Sequence, residues 1–428
     1  MPAYLRHNLY KVYLLNNKNN RSMRGVIQLA TWFLLIIYLA FISLGLPDSL
    51  LGSAWPVIWP EIGSSVGAAG LVSMIVAAGT IVSSLASGRM IRKLGTGSIT
   101  LLSCLLTAVA LLGFPLAPSL AWFVMLAIPL GLGAGAVDAA LNHYVAEHYE
   151  AHHMNWLHCF WGVGATAGPF IMAASIAGQH SWRGGYAVVA GIQFSLVIVL
   201  LLTLPLWKRV AATRQTPNLL DSKAVDEADE TLTTKLLNIK GVKPTLLAFL
   251  FYCGVEMTVG LWGASYLVGT RNVSAEVAAG WVSLYYAGIT FGRLITGFIT
   301  LKVSNLLLIR YGQWTTIIGG IVLLLPLPSG FAAGGLVMIG LGLAPIYPGL
   351  LHETPTRFGK GSAARLMGYQ MAVAYTGTTL LPPLFGLLAS KAGTASFPIV
   401  VLLLLILMLV CAEIVNRLVV RPRQLYTN

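Results

Sequence analysis

Charge is what this chain is short of. Only 10% of its 428 residues are Asp, Glu, Lys or Arg, against 57% hydrophobic residues, and the mean hydropathy is +0.78. So little polar surface cannot cover a soluble globule, and the chain reads as a polytopic membrane protein. Cysteine is also sparse: Cys104, Cys159, Cys253 and Cys411 fall within or beside apolar runs, with no disulfide or metal-ligand spacing. Runs of alternating polarity are missing, so the spans are helices rather than barrel strands. Acids are scarcer than bases, 14 against 27, for a net charge of +13. The basic residues are scattered between apolar runs and form no base-reading module, so nucleic acid is not the expected partner.

What is there is a series of long apolar runs. Twelve spans are expected, at 25–47, 66–87, 97–117, 120–143, 156–178, 184–206, 244–269, 279–300, 304–327, 330–350, 364–390 and 395–417. They divide the chain into a polar tail at 1–24, a six-helix bundle at 25–206, a linker at 207–243, a second bundle at 244–417 and a short tail at 418–428. The linker mixes Asp221, Asp226, Glu227, Asp229 and Glu230 with lysines and keeps no apolar periodicity, so it reads as a flexible connection. The tail at 1–24 is either an interfacial helix or a solvated arm drawn to anionic lipid.

The basic residues report orientation. Arg6, Lys11, Lys18, Arg21 and Arg24 precede the first span; Arg89, Arg92 and Lys93 follow the second; Lys208, Arg209, Arg214, Lys223, Lys235, Lys240 and Lys243 fill the linker. The alternate loops hold only Arg183, Arg271 and Lys391. The positive-inside rule therefore puts both termini and the linker in the cytoplasm, in a cell (plasma or inner) membrane protein. No small-residue cleavage site follows the first apolar stretch, so span one is expected to act as an uncleaved signal anchor. Asn272-Val273-Ser274 forms a glycosylation sequon on an outward loop, a triplet that also arises by chance.

The two halves repeat each other. Gly131-Leu132-Gly133 recurs as Gly340-Leu341-Gly342, and Gly79 and Gly88 recur as Gly288 and Gly297, all at an offset of 209. Asp48 with Gly52 recurs as Glu256 with Gly260 at an offset of 208. A duplicated apolar bundle with an acid at one place in each half is the layout of a secondary transporter, whose halves rock around a central site. The glycine stripes of spans two and four read first as packing surfaces that let helix backbones approach.

An ionisable side chain inside a span costs roughly 2.5–3.5 kcal/mol on insertion scales, so each one needs a reason. Asp48 follows Pro47 near the outer part of span one, where the proline can kink the helix and turn the acid inward. Asp138 and Asn142 are four residues apart on one face of span four, a carboxylate and an amide of the kind that hydrogen-bond sugar hydroxyls in both directions. Span seven carries Glu256 with Trp262 two turns on. Span five offers His158 with Asn155, Trp156 and Trp161. Span eleven offers Gln370 with Tyr369 and Tyr375, and His158 and Gln370 are 212 residues apart, close to the repeat offset. A midplane cavity of polar anchors and aromatic walls would suit a polar organic solute.

On these residues the chain resembles the major facilitator superfamily, and within it the fucose and glucose proton symporter (fucose permease-like) group. The supports are Leu46-Pro47-Asp48-Ser49-Leu50-Leu51, Asp138-Ala139-Ala140-Leu141-Asn142, Asn155-Trp156-Leu157-His158-Cys159-Phe160-Trp161-Gly162, Tyr252-Cys253-Gly254-Val255-Glu256 and Ile346-Tyr347-Pro348. The resemblance implies an all-α membrane protein of twelve transmembrane helices in two pseudo-symmetric six-helix bundles. It implies proton-coupling roles for Asp48 and Asp138 and sugar contact by Asn142, while Glu256, by its repeat relation to Asp48, is a further proton-coupling candidate. The other binding candidates are His158, Trp161, Trp262, Gln370 and Tyr375. Where fucose permease looks to have Glu, Gln and Gln, this chain has Asp138, His158 and Glu256, so its substrate and proton count can differ. The superfamily's signature after span two appears as Gly88-Arg89-Met90-Ile91-Arg92-Lys93-Leu94-Gly95-Thr96, with Arg92 in place of the gating Asp. Gly88, Arg92, Lys93 and Gly95 remain the gating-loop candidates. Gly292-Arg293-Leu294-Ile295-Thr296-Gly297 stands in the second half, again without the acid.

One rival comes from His148, His152 and His153, with His143 and His158 flanking, a run shaped like a box of the membrane di-iron desaturases. Such enzymes need several boxes, whereas His7, His180 and His352 are isolated, so a wet loop is the simpler account. Proton-driven efflux of drugs or amphiphiles is the nearer alternative, and a transporter-like sensor a further one. The expectation is a monomeric secondary transporter, not an enzyme and without cofactor or metal, importing a sugar or similar small solute with protons across the bilayer.

Overall fold

The computed structural model describes residues 20–149, 151–178, 181–213, 236–300 and 302–419. Most of the tail at 1–24, most of the linker at 207–243, nearly all of the tail at 418–428, and the side chains of His148, His152 and Asn155 lie outside the described residues. Among the described residues, twelve helical spans are long and apolar enough to cross a membrane: Phe33–Glu61, Ala68–Leu94, Thr96–Leu116, Leu120–Val145, Trp156–Ala177, Ser181–Trp207, Val242–Arg271, Ala275–Ile299, Asn305–Leu324, Ser329–Phe358, Arg365–Ala392 and Thr394–Val419. They are numbered one to twelve below.

Span one departs most from expectation. Its helix does not stop near 47 but runs on through Trp55 and Pro56 to Glu61, interrupted only by a turn at Ser49. Asp48 therefore sits inside the span rather than near its outer end. The interruption has a local cause. Pro47 has no N–H, so the Ser43 carbonyl four residues back loses its helical donor. Gln193 of span six replaces it, donating from Nε2 to the Ser43 carbonyl at 2.8 Å, while the Ser43 hydroxyl bonds back to Gln193. Pro169 in span five frees the Ala165 carbonyl in the same way, and the Ser49 hydroxyl donates to that oxygen at 2.8 Å. Both of these backbone groups freed by prolines are thus satisfied by a neighbouring helix, as the hydrocarbon core demands.

The sequence repeat is a repeat of contacts. Gly131 of span four packs so tightly on span two that a Cβ would overlap the Val76 carbonyl; Gly340 of span ten meets the Tyr285 carbonyl of span eight in the same way, 209 residues on in both partners. A Cβ on Gly133 would lie 2.7 Å from the Thr107 methyl group, and one on Gly342 would lie 2.7 Å from that of Thr316, again 209 apart. Small residues recur because both bundles use the same close backbone crossings.

Among the described residues, the bundles meet along spans five and eight and, elsewhere, at the end remote from the linker. Gly52 abuts the Gly260 backbone, Gly67 abuts Gly386 and Ser390, and a Cβ on Gly70 would lie 2.8 Å from Cα of Pro383. Deeper in, the Ser283 hydroxyl of span eight donates to the Thr166 carbonyl of span five at 2.7 Å. Gly70 and Gly88 are five turns apart on span two and share a face, as do Gly386 and Gly368 on span eleven. Around Gly88 only the tip of Arg92 on the same helix comes as near as 4.0 Å to a Cβ, and Gly368 meets nothing. Spans two and eleven therefore touch at the end remote from the linker and part towards it, leaving a wedge between the bundles.

Candidate central site

The wedge closes on a group of charged and aromatic side chains. Asp48, exposed at the break in span one, accepts a hydrogen bond from Nε1 of Trp161 at 2.8 Å. Asp138 on span four lies near enough for its charge to act on Asp48 and on Tyr375 of span eleven. Asn142, one turn on, donates from Nδ2 to Oδ1 and to the backbone carbonyl of Asp138, both at 2.9 Å. The amide thus orients the carboxylate, as their four-residue spacing requires.

The opposite wall is built around Arg293. Its Nη2 lies 3.2 Å from Oε1 of Glu256 and 3.3 Å from the Tyr252 hydroxyl, and its guanidinium stands 5.8 Å from the centroid of the Trp161 ring. Trp161 therefore touches both halves: its N–H serves Asp48 and its face receives the cation of span eight. Tyr285 donates to the Glu256 carbonyl at 3.0 Å and holds that turn of span seven. Tyr286, buried on the same helix as Tyr285, feels the charges of both Glu256 and Asp48. A half-buried guanidinium is tolerable because a carboxylate pairs with it.

The sequence candidates separate into three groups. Asp48, Asp138, Asn142, Trp161, Glu256 and Tyr375 come together in this region. His158 is exposed beside it, edge-on to Phe41 with ring centroids 5.9 Å apart and within range of the Arg293 charge. Trp262 and Gln370 do not join. Trp262 is fully buried in the second bundle, donating to the Pro382 carbonyl at 2.9 Å and packing on Phe385. Gln370 is 1% exposed and spends its amide on the Thr354 hydroxyl, at 2.9 and 3.1 Å, between spans ten and eleven. Both are corrected from binding candidates to packing residues, because their polar atoms are satisfied away from the cavity. The resemblance of His158 to Gln370 in spacing does not extend to their surroundings.

Gly88, Arg92, Lys93 and Gly95 lie at the linker end of span two. Gly95 ends the helix at φ +78, and Arg92 and Lys93 are exposed, with no ion pair among the described residues. Arg293, which the sequence sets in the second-half counterpart of the signature stretch, reaches Glu256 with its side chain inside the site. Arg293, Tyr252 and Tyr286 are the members that sequence reasoning missed; a lone arginine well inside an apolar run was the available signal for the first. In the histidine group at 143–158, Nδ1 of His153 lies 2.8 Å from the Tyr38 hydroxyl. No cluster of three or more His, Cys, Asp or Glu that could hold a metal occurs among the described residues.

Comparison with known proteins agrees with this architecture. The family model described as Major Facilitator Superfamily matches residues 37–377. Bypass of stop codon protein 6 of Saccharomyces cerevisiae is 28% identical over 219 residues, covering 47% of this chain and 43% of that protein. The chain thus spans less than half the length of that curated relative. Among solved structures, a bacterial homologue of the human lysosomal transporter Spinster, inward-facing and unoccupied, superposes with a TM-score of 0.71 at 13% identity, covering 92% of this chain and 98% of that one. The inward open xylose transporter XylE from E. coli gives 0.67 at 12% identity over 89% and 95%. A mutant of the nucleoside transporter NupG gives 0.68 at 12% identity over 89% and 98%. At such identities these likenesses speak for the fold alone.

Proposed function

Because the chain belongs to the major facilitator superfamily, and is therefore a transporter rather than an enzyme, we propose that it takes up a sugar or similar small polar solute together with protons, by alternating access. The observation that carries this reading is the meeting of Asp48, the Asp138–Asn142 pair and the Arg293–Glu256 pair between the two bundles. Carboxylates, an amide and a guanidinium offer both acceptors and donors to hydroxyl groups, and Trp161 and Tyr375 offer flat apolar faces. Asp48 and Asp138 are the proton carriers: a carboxyl group enclosed in a dry cavity favours its neutral form, and opening to water releases the proton. One charge moving down about 100 mV supplies about 2.3 kcal/mol, enough for roughly a fifty-fold solute gradient.

The basic residues around the linker favour a cytoplasmic location for that end, with both termini beside it, in a plasma or inner membrane. The wedge then opens to the cytoplasm, and the conformation described is inward-open. Spans two and eleven rock so that the Gly67–Gly386 contact parts while the Gly88 and Gly368 ends approach. A single chain contains both bundles and the whole site, which is consistent with a monomer.

Purified protein in liposomes, offered labelled hexoses with and without a proton gradient, tests the reading. Accumulation above equilibrium that collapses with a protonophore is the expected result. Gradient-driven extrusion of cationic amphiphiles, with no hexose movement, would establish efflux instead.

A further inference from the structure

Arg293 has donors to spare. A guanidinium carries five N–H groups in a planar fork and pairs best with a carboxylate taken by two of them at once. Here Nη2 alone serves both Glu256 and Tyr252, and among the described residues Nε and Nη1 have no hydrogen-bond partner. The side chains of Arg293 and Glu256 are 20% and 11% exposed, so a solute in the wedge can reach the pair. Asp48 and Asp138 bring no positive charge, and Arg293 is the single cationic side chain that the described contacts bring into the site.

Two demands follow for whatever binds. It must supply acceptor oxygens to the unused donors of Arg293, and it must not bring an uncompensated negative charge beside Glu256. A hydroxylated neutral solute meets both demands. Its acid counterpart meets only the first, because its carboxylate would share one guanidinium with a second anion. Resting on the reading of this cavity as a sugar site, we propose that Glu256 sets charge selectivity: as the resident carboxylate of Arg293, it admits neutral sugars and excludes the corresponding sugar acids. Arg293 binds solute hydroxyls through its free donors, and Glu256 is the repulsive element that discriminates.

Hexoses and uronates make a matched test, since the two differ only in a terminal hydroxymethyl group or carboxylate. Glucose with glucuronate, galactose with galacturonate and mannose with mannuronate are offered to purified protein, with thermal stabilisation as the binding signal. Wild type should bind at least one hexose and none of the uronates. Glu256→Gln keeps the shape but removes the charge, and should bind the matching uronate at least about tenfold more tightly than wild type. Adding Arg293→Gln to that variant should abolish the gain. Glu256→Asp, which retains the charge, should still refuse uronates. A second variant guards against one that fails to fold: Glu256→Ala, which also removes the charge, should gain uronate binding in the same way.

The outcomes separate the two claims. Hexose binding by wild type with no uronate binding by Glu256→Gln or by Glu256→Ala overturns the selectivity role and leaves the sugar reading standing. Uronate binding by Glu256→Gln with no hexose bound by any form overturns the sugar reading alone. No binding of either class overturns both.

Discussion

Nε1 of Trp161 donates to Oδ2 of Asp48 at 2.8 Å, and the same indole carries the Arg293 guanidinium over its ring, 5.8 Å from the centroid. One side chain of span five thereby joins an acid of the first bundle to the ion pair of the second. Coupling between solute, proton and bundle movement needs a physical connection of this sort.

Asp48→Asn and Asp138→Asn keep size and hydrogen bonding but remove titration. At the coupling position the change should abolish proton-driven accumulation while preserving exchange of labelled for unlabelled solute across liposomes. If both variants still concentrate solute with wild-type pH dependence, neither acid is the carrier, and Glu256 becomes the next candidate.

Trp161→Phe keeps an aromatic face for Arg293 and deletes the donor to Asp48. A hydrogen bond to a charged group contributes roughly 1.5–3 kcal/mol. The variant should therefore weaken coupled uptake by about tenfold or more, with a melting temperature close to that of wild type. A large fall in melting temperature with intact uptake would mark the indole as a packing residue only.

The end of the bundles remote from the linker should yield to a single methyl group. Gly52 abuts the Gly260 backbone, and backbone cannot swing aside. Gly52→Ala should push the bundles apart there and admit a membrane-impermeant thiol reagent to Cys159 or Cys253 from that side. Labelling that is unchanged from wild type would show that the contact is not the seal.

The paired crossings should respond alike. Gly131→Ala and Gly340→Ala each drive a Cβ into a carbonyl oxygen, and each should destabilise by about 1–3 kcal/mol. Gly191, in span six, has nothing within 4 Å of a Cβ, so Gly191→Ala should instead raise the melting temperature slightly. Thermal unfolding in detergent measures all three.

Hydropathy and the 209-residue offset made the helices and their duplication legible, because both are written in patterns that need no partner to be read. Asp48, Asp138 and Asn142 were legible for a related reason: a polar group in an apolar run must be accounted for. Arg293 obeys the same rule but stood among residues resembling a loop signature, and that resemblance masked its depth in span eight. Trp262 and Gln370 show the opposite limit. Two thirds of the apolar window of span seven is buried, so spacing alone does not tell which face meets the cavity and which meets a neighbour. The expected end of span one fell at Pro47, although helix neighbours can satisfy the backbone groups that prolines release.

The glycine contacts at the closed end also set a lever. Gly70 and Gly88 are 18 residues apart on a continuous helix, or about 27 Å along its axis. A tilt of about 10° about the Gly70–Pro383 contact would carry the far end through roughly 5 Å, about the rise of one helical turn. Changes of a few tenths of an ångström where backbone lies on backbone are thus magnified at the mouth of the wedge. Side-chain volume at the tight end therefore bears directly on how far the mouth opens.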